Sequence, residues 1–251
     1  MPVFHNNRWT MQTQFTYTVF TDFDGTIAVN DIGDAMFERY GNVEQCTKSF
    51  RSYREGKIDA RDCWRQGFAT VGPLTKEEFT AFALSQPADR FFNGFVDFCG
   101  EHQIPVTVLS DGYDAYIDPF LEREGLSALP RFSNRLQFNS DGSVEPVFPF
   151  TDSNCPRCAN CKRNHMLTRS NDDQVIVYIG DGISDRCPVQ YADVVFAKDS
   201  LVSYCETHNI TFHRFNDFSD VLKKFRELVE TKKPRKRRTA ELARKDIFMG
   251  E

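Results

Sequence analysis

Short apolar runs, each closing on a polar stretch, fall in two blocks separated by a segment of different period. Residues 17–21, 105–109, 175–179 and 193–197 have the length and the Val/Ile/Phe content of buried strands. Between the first run and the second, residues 33–90 lose that texture and take up helical spacing. Ala35, Met36, Phe37 and Tyr40 line one predicted face, Cys63, Trp64, Phe68 and Val71 another, and Phe79, Phe82 and Ala83 a third. Gly41, Gly56 and Gly72-Pro73 punctuate these segments. From Asp89 strand and helix alternate again, with helices expected near 93–102 and 115–124, and a hairpin over 135–148 that turns at Asn139-Ser140-Asp141-Gly142. Further helices are expected near 162–168, 188–191, 201–208 and 218–229, a short edge strand at 211–213, and one more helix at 240–248. This alternation predicts an α/β fold with a Rossmann-like parallel sheet. The expected division is a core of residues 15–32 and 91–230, a small helical cap at 33–90 inserted after the first strand, and a basic C-terminal tail at 231–251.

Composition narrows the picture. A hydrophobic fraction of 40% with 24 Phe in 251 residues is enough for a sizeable core. No stretch reaches the roughly 18 consecutive apolar residues of a membrane span. Residues 1–14 carry Asn, Gln and Trp where a secretory leader would be apolar, so the expectation is a cytoplasmic protein with its eight cysteines reduced. The net charge is −5, but residues 232–251 hold eight Lys/Arg against three acids, leaving a body near −10. An acidic body argues against a nucleic-acid surface on the globular part and suits an enzyme that gathers carboxylates around a divalent cation. The run Lys232-Lys233-Pro234-Arg235-Lys236-Arg237-Arg238 has no interleaved aromatics to stack on bases and reads as a solvated tail, so neither nucleic acid nor membrane is the expected partner.

Candidate chemistry sits where the strands end. The first run delivers Asp22-Phe23-Asp24-Gly25-Thr26, the second Ser110-Asp111-Gly112, the third Gly180-Asp181-Gly182-Ile183-Ser184-Asp185 and the fourth Lys198-Asp199. In open α/β sheets ligands bind outside the carboxyl ends of the strands, so these groups are expected in one pocket. A carboxylate can attack phosphorus if a cation screens the two anions, which makes Asp22 the candidate nucleophile. Mg²⁺ is the expected cofactor, held by Asp22, Asp181 and the main-chain carbonyl of Asp24. The Asp24 side chain, two residues on, is the candidate general acid and base. Ser110 and Lys162 would hold the phosphoryl oxygens, with Lys162 opening a helix, and Asp185 would orient Lys162 or a metal-bound water. Gly25 lets the backbone approach the phosphate closely, and Gly112 stands with it among the candidate substrate-binding positions.

In this order the motifs Asp22-Phe23-Asp24-Gly25-Thr26, Ser110, Lys162 and Gly180 to Asp185 resemble the haloacid dehalogenase superfamily, over roughly residues 16–229. An acid at the second Asp position marks its phosphatases, and the insert resembles the helical cap of the phosphoserine-phosphatase branch. The resemblance implies hydrolysis of a small phosphorylated metabolite through an aspartyl phosphate. Within the branch, Asn30-Asp31, the Cys-rich approach to Lys162 and Phe196-Ala197-Lys198-Asp199 resemble the phosphatases of methionine salvage. Glu55-Gly56-Lys57 followed by Arg65 is similar to the cap segment with which phosphoserine phosphatases bind a carboxylate, though Asp31 stands where they carry Glu. Asp31 and Arg65 are therefore the candidate substrate readers. A binding protein without turnover, using the cysteine loop or the tail, is the competing class.

Cys155-x-x-Cys158-x-x-Cys161 with His165 has ligand-like spacing for zinc, the fourth ligand being His165 or another cysteine such as Cys187. Unliganded thiols in a loop are the plain alternative.

Overall fold

The computed structural model describes residues 16–249 except 154, 156, 232 and 233. Residues 1–15, on which the reading of the leader rested, and Lys232 and Lys233 of the basic run lie outside the described residues.

Seven strands build one sheet: β1 (Thr16–Thr21), β2 (Val106–Tyr113), β3 (Arg131–Phe138), β4 (Val144–Val147), β5 (Gln174–Gly180), β6 (Val194–Ala197) and β7 (His213–Arg214). Their order is β4-β3-β2-β1-β5-β6-β7, all neighbours parallel except the β3–β4 hairpin. The central runs are buried on both faces, with Thr18, Thr21 and Thr107 among their apolar residues, and the period of two sorts them. Tyr17, Val19, Val175, Val177 and Ile179 face one core layer, while Phe20, Ile176 and Tyr178 face the other. The first layer is closed by α5 (Phe92–Glu101), α6 (Asp114–Arg123) and α9 (Phe218–Thr231), the second by α7 (Lys162–Thr168) and α8 (Asp199–Thr207). In α9 the buried stripe is Phe218, Val221 and Phe225, spaced i, i+3, i+7 as a one-sided helix requires.

The cap holds four helices, α1 (Ile32–Tyr40), α2 (Val43–Arg54), α3 (Ala60–Phe68) and α4 (Lys76–Leu84). Asp31, Asn42 and Asp59 each accept the amide three residues on, and Thr75 with Glu78 forms a capping box. Such caps hold short helices at about 0.5–2 kcal/mol apiece. The three faces read from the sequence belong to α1, α3 and α4. Helix α2 was not foreseen, because Ser49 is its one buried residue and it offers no core stripe. Two chain crossings join cap to core: Ala28 bridges Ala88, and Asp89 accepts from the amides of both Phe91 and Phe218.

Four other expectations need correction. Strand β3 begins at Arg131, parallel to β2, ahead of the hairpin, a segment too polar to read as a strand. Residues 188–190 form a 3₁₀ turn, and the edge strand lies at 213–214. The basic segment is not a free tail: α10 (Arg238–Met249) docks on the core, with the Arg237 amide and the Arg244 guanidinium each 3.0 Å from Asp193 Oδ1. Arg237 also donates to the carbonyls of Val189 and Gln190. Among the described residues no helix is long and apolar enough to cross a membrane.

Candidate active site

At the centre of the sheet β1 lies between β2 and β5, and their carboxyl ends set Asp22, Ser110 and Asp181 side by side. The strand order reverses here, since β2 and β3 extend to one side of β1 and β5 to β7 to the other, and such a switch point leaves a crevice for ligand. Lys162 enters from the first turn of α7. Its Nζ lies 2.8 Å from Asp22 Oδ1, 2.8 Å from Asp185 Oδ1 and 2.9 Å from Ser184 Oγ, so all three of its protons are engaged. Burial alone would lower the Lys162 pKa, but Asp185 and Asp22 together outweigh it and hold the ammonium charged.

Asp22 Oδ1 is locked by Lys162 and by the Phe23 amide at 2.7 Å. Its Oδ2 receives a 3.5 Å contact from Ser184 and is the oxygen least committed to the protein. Asp185 is fully used: Oδ1 accepts from Lys162 and from Tyr178 Oη at 2.6 Å, and Oδ2 accepts from the amides of Asp181 and Gly182. Asp185 therefore stands behind the site as the partner that fixes Lys162 and the 181–182 turn.

Asp24 points the other way. Its Oδ1 accepts the Ile32 amide at 3.0 Å, and its Oδ2 accepts from Tyr116 Oη at 2.6 Å and Ser110 Oγ at 3.2 Å. Burial, then the charge of Asp31, raises its pKa to about 8 against these three hydrogen bonds. A carboxyl poised there can both give and take a proton near neutrality. Tyr116 was missed by sequence reasoning; the available signal was its place on the first turn of a helix, six residues after Ser110.

The glycines serve close approach. Gly25 has φ +66°, and a Cβ on it would come 2.7 Å from Asp181 Oδ2. A Cβ on Gly112 would overlap Tyr116 Oη and reach Asp24 Oδ2 at 2.6 Å. Gly112→Ala is therefore expected to displace the Tyr116–Asp24 pair, lowering kcat/KM by about 10²-fold and stability by about 1–3 kcal/mol. Steady-state kinetics and thermal melting on the same preparation check both.

Asp31 spends Oδ1 on the Asp34 amide as the cap of α1, and it lines the cavity. Arg65 does not join it. It pairs with Asp62 on the outer face of α3 and lies over the Phe148 ring at 5.2 Å, while Ala60, Trp64 and Gly67 face inward. The reading of Arg65 as a pocket residue is thus corrected, since a nine-residue helix exposes the flank opposite its apolar stripe. Arg54 and Arg186 are the basic side chains lining the pocket.

That pocket, about 520 Å³, lies between the strand ends and the cap. Its floor is acidic, with Asp22, Asp24 and Asp181. Its roof carries Val43, Cys46, Thr47, Phe50, Tyr53 and Arg54 from α2, an i, i+3, i+4, i+7, i+10, i+11 stripe. Phe37 and Trp64 form a further apolar wall. The stripe was the signal that could have revealed α2 in the sequence.

Among the described residues one group of three carboxylates, Asp22, Asp181 and Asp185, has ligand atoms within 4.8 Å of one another. Burial and then Asp185 hold Asp22 well above the usual carboxylate range, and the same two causes raise Asp181 to about 7. Two buried acids and the half-buried Asp181 facing one lysine leave uncompensated negative charge, and the all-oxygen donor set fits a hard divalent cation such as Mg²⁺. The Asp24 side chain, turned to Tyr116, lies outside that group.

The expected zinc set with His165 is not assembled. His165 Nε2 bonds Asn160 Oδ1 at 2.8 Å, and its ring stacks on Phe132. Burial lowers its pKa to about 4, so the ring is neutral. Asn160 in turn donates to the carbonyls of Ser110 and Phe132, which makes His165 a brace for the end of β2.

Comparison with known proteins agrees with this geometry. The profile of the haloacid dehalogenase-like hydrolases matches residues 19–187. The 2-hydroxy-3-keto-5-methylthiopentenyl-1-phosphate phosphatase of Bacillus mycoides is 30% identical over 220 residues, covering 85% of this chain and 98% of its own. Polyol phosphate phosphatase PYP1 of Saccharomyces cerevisiae is 28% identical over 232 residues, covering 86% and 95%. Among solved structures, a phospho-aspartyl intermediate analogue of phosphoserine phosphatase superposes with a TM-score of 0.65 at 19% identity, over 84% of this chain and 99% of its own.

Proposed function

The chain belongs to the haloacid dehalogenase-like hydrolases, and on that premise we propose that it hydrolyses the phosphate monoester of a short oxygenated carbon chain with an apolar end. The 2-hydroxy-3-keto-5-methylthiopentenyl-1-phosphate on which the Bacillus mycoides relative acts by name is such an ester. The observation that carries the reading is the pocket itself, with a carboxylate floor at the strand ends and the Phe37, Phe50 and Trp64 wall above.

Asp22 Oδ2 attacks the phosphorus and takes the phosphoryl group as an aspartyl phosphate. Asp24, holding its proton at neutral pH, gives it to the departing alkoxide and then takes one from the water that cleaves the acyl phosphate. Lys162 and Ser110 hold the oxygens of the transferring group, and Asp185 keeps Lys162 in place. Mg²⁺, held by Asp22 and Asp181, would screen the charge between carboxylate and phosphate. Phosphoserine fits less well, because Arg65, the candidate for its carboxylate, is paired with Asp62 outside the pocket. The same wall separates a methylthio end from the bare hydroxyls of a polyol phosphate.

The test is a panel of methylthio-ketose, polyol and amino-acid phosphates assayed with Mg²⁺. The methylthio ester should lead, and Phe50→Ala should raise its KM by about 10-fold or more while leaving a short polyol phosphate within about 2-fold. Equal losses on both esters, or phosphoserine at the head of the panel, would overturn the substrate class while leaving the phosphatase reading intact.

A further inference from the structure

Beside the active-site pocket, and sharing Arg54, Ser184 and Arg186 with it, lies a second cavity of about 400 Å³. Three arginines line it: Arg54 from the end of α2, Arg157 from the loop before Lys162, and Arg186 from the turn after Asp185. Arg65, Arg131, Arg163 and Arg244 each pair with a carboxylate, but among the described residues these three have no such partner. Arg54 lies over the Phe50 ring at 5.9 Å and Arg186 over the Tyr204 ring at 5.5 Å, contacts that hold a guanidinium by its face and leave N–H groups on its edge for a ligand. The Arg186 Nε is shielded from solvent and has no acceptor among the described residues. A buried donor left unpaired is costly, and a bound acceptor would remove that cost. Asp111, the one carboxylate among the described residues that line this cavity, has its Oδ1 committed to the Asn160 amide at 2.8 Å.

We propose that Arg54, Arg157 and Arg186 form a second phosphate station, which takes a phosphate dianion beside the one that reacts at Asp22. The inference rests on the phosphatase reading for the position of that first phosphate. Guanidinium forks match the paired oxygens of a phosphate, and three of them around one cavity, in a chain of net charge −5, mark a place where an anion is favoured. The two stations adjoin. Ser184 lines both cavities, and its Oγ lies 2.9 Å from Lys162 Nζ and 3.5 Å from Asp22 Oδ2. The anion has two sources of the same chemistry: the inorganic phosphate released from Asp22 and held on its way out, or the second phosphate of a bisphosphate ester.

The station also spans two parts of the fold. Arg54 belongs to the cap, Arg157 and Arg186 to the core. The two sides already meet here, where the Ala60 amide donates to the Arg157 carbonyl at 3.0 Å and a Cβ on Gly56 would come 3.5 Å from Arg157 Nη2. A phosphate held by all three arginines therefore ties α2 to the core.

The experiment first blocks Asp22. The full chain is loaded with Mg²⁺ and beryllofluoride, an analogue of the aspartyl phosphate; fluorine NMR reports the loading, and inorganic phosphate is then titrated by calorimetry. About one further phosphate per chain is expected, bound at least ~10-fold more weakly by Arg157→Gln and by Arg186→Gln. Uptake by the parent tests the station even where a variant fails to fold. A short diol bisphosphate set against its monophosphate separates the sources. A kcat/KM at least ~10-fold higher for the bisphosphate, lost in Arg186→Gln, assigns the substrate's second phosphate. Equal values, with product inhibition by phosphate relieved in Arg186→Gln, assign the released phosphate. A loaded parent that takes up no phosphate, or uptake unchanged in both glutamine variants, would overturn the proposal. Failure of beryllofluoride to load would count against Asp22 instead, and the phosphate titration of parent and variants would still decide for the arginines.

Discussion

An Asp22→Asn protein is expected to fold as the parent does and to lose turnover by more than ~10³-fold. The amide keeps the shape of the carboxyl, and its oxygen can still accept from Lys162 and the Phe23 amide, the two bonds that hold Oδ1 at 2.8 and 2.7 Å. What it loses is the second oxygen, which meets the protein only through the 3.5 Å contact from Ser184 and so carries the lone pair free for attack. Removing that nucleophile leaves a site that still binds phosphate through Lys162 and Ser110 with nothing to receive it. Kinetics with the preferred ester, set beside circular dichroism and melting of both proteins, check this. Mass spectrometry of acid-quenched protein should find a phosphoryl group on the parent and none on the variant. Turnover within ~10-fold of the parent would remove Asp22 from the chemistry.

The strand ends were legible because they obey two rules at once. Residues 17–21 and 175–179 are mostly apolar and buried on both faces, as a sheet covered by two helical layers demands, and the runs stop at Asp22 and at Gly180-Asp181. Ser110 and Lys162 were legible by order along the chain, together with the helix that begins at Lys162. Residues whose function lies in facing a cavity were harder. Phe50 sits on α2, whose inner side meets the pocket and so leaves no buried stripe to count. Tyr116 is fully buried and reads as core; only the 2.6 Å hydrogen bond to Asp24 reveals its other side. Arg65 failed for the opposite reason. Local similarity picked out the residue, but the phase of α3 is set by Trp64 and Phe68 packing on Tyr113, and that turns Arg65 outward. His165 was assigned by its spacing from the cysteines, whereas its ring is claimed by Phe132 and Asn160. The docking of Arg237 and Arg244 on Asp193 was hidden because that carboxylate sits 44 residues or more away in sequence.

Asp24→Asn is expected to lower kcat on alkyl phosphates by ~10²–10⁴-fold, the range of a lost general acid and base. The consequence depends on the leaving group, and that dependence separates a chemical role from a merely structural one. An alkoxide departs slowly without a proton, so with the natural class of ester both the formation and the hydrolysis of the aspartyl phosphate suffer. A nitrophenolate needs no proton to leave, so with an aryl ester the first step survives and the second does not. The variant should then release a burst of nitrophenol close to one equivalent of enzyme, followed by a slow steady rate, with the phosphoryl group retained on Asp22. Structural collapse would instead depress the two substrates alike and give no burst. The side chain is well placed for this test: its oxygens meet the Ile32 amide, Tyr116 and Ser110. The two hydroxyls can turn to accept from the new amide while the amide oxygen keeps the Ile32 bond. Equal rate losses on alkyl and aryl esters would assign Asp24 to holding Tyr116 and Ser110 in place, and the proton would have to come from elsewhere in the pocket.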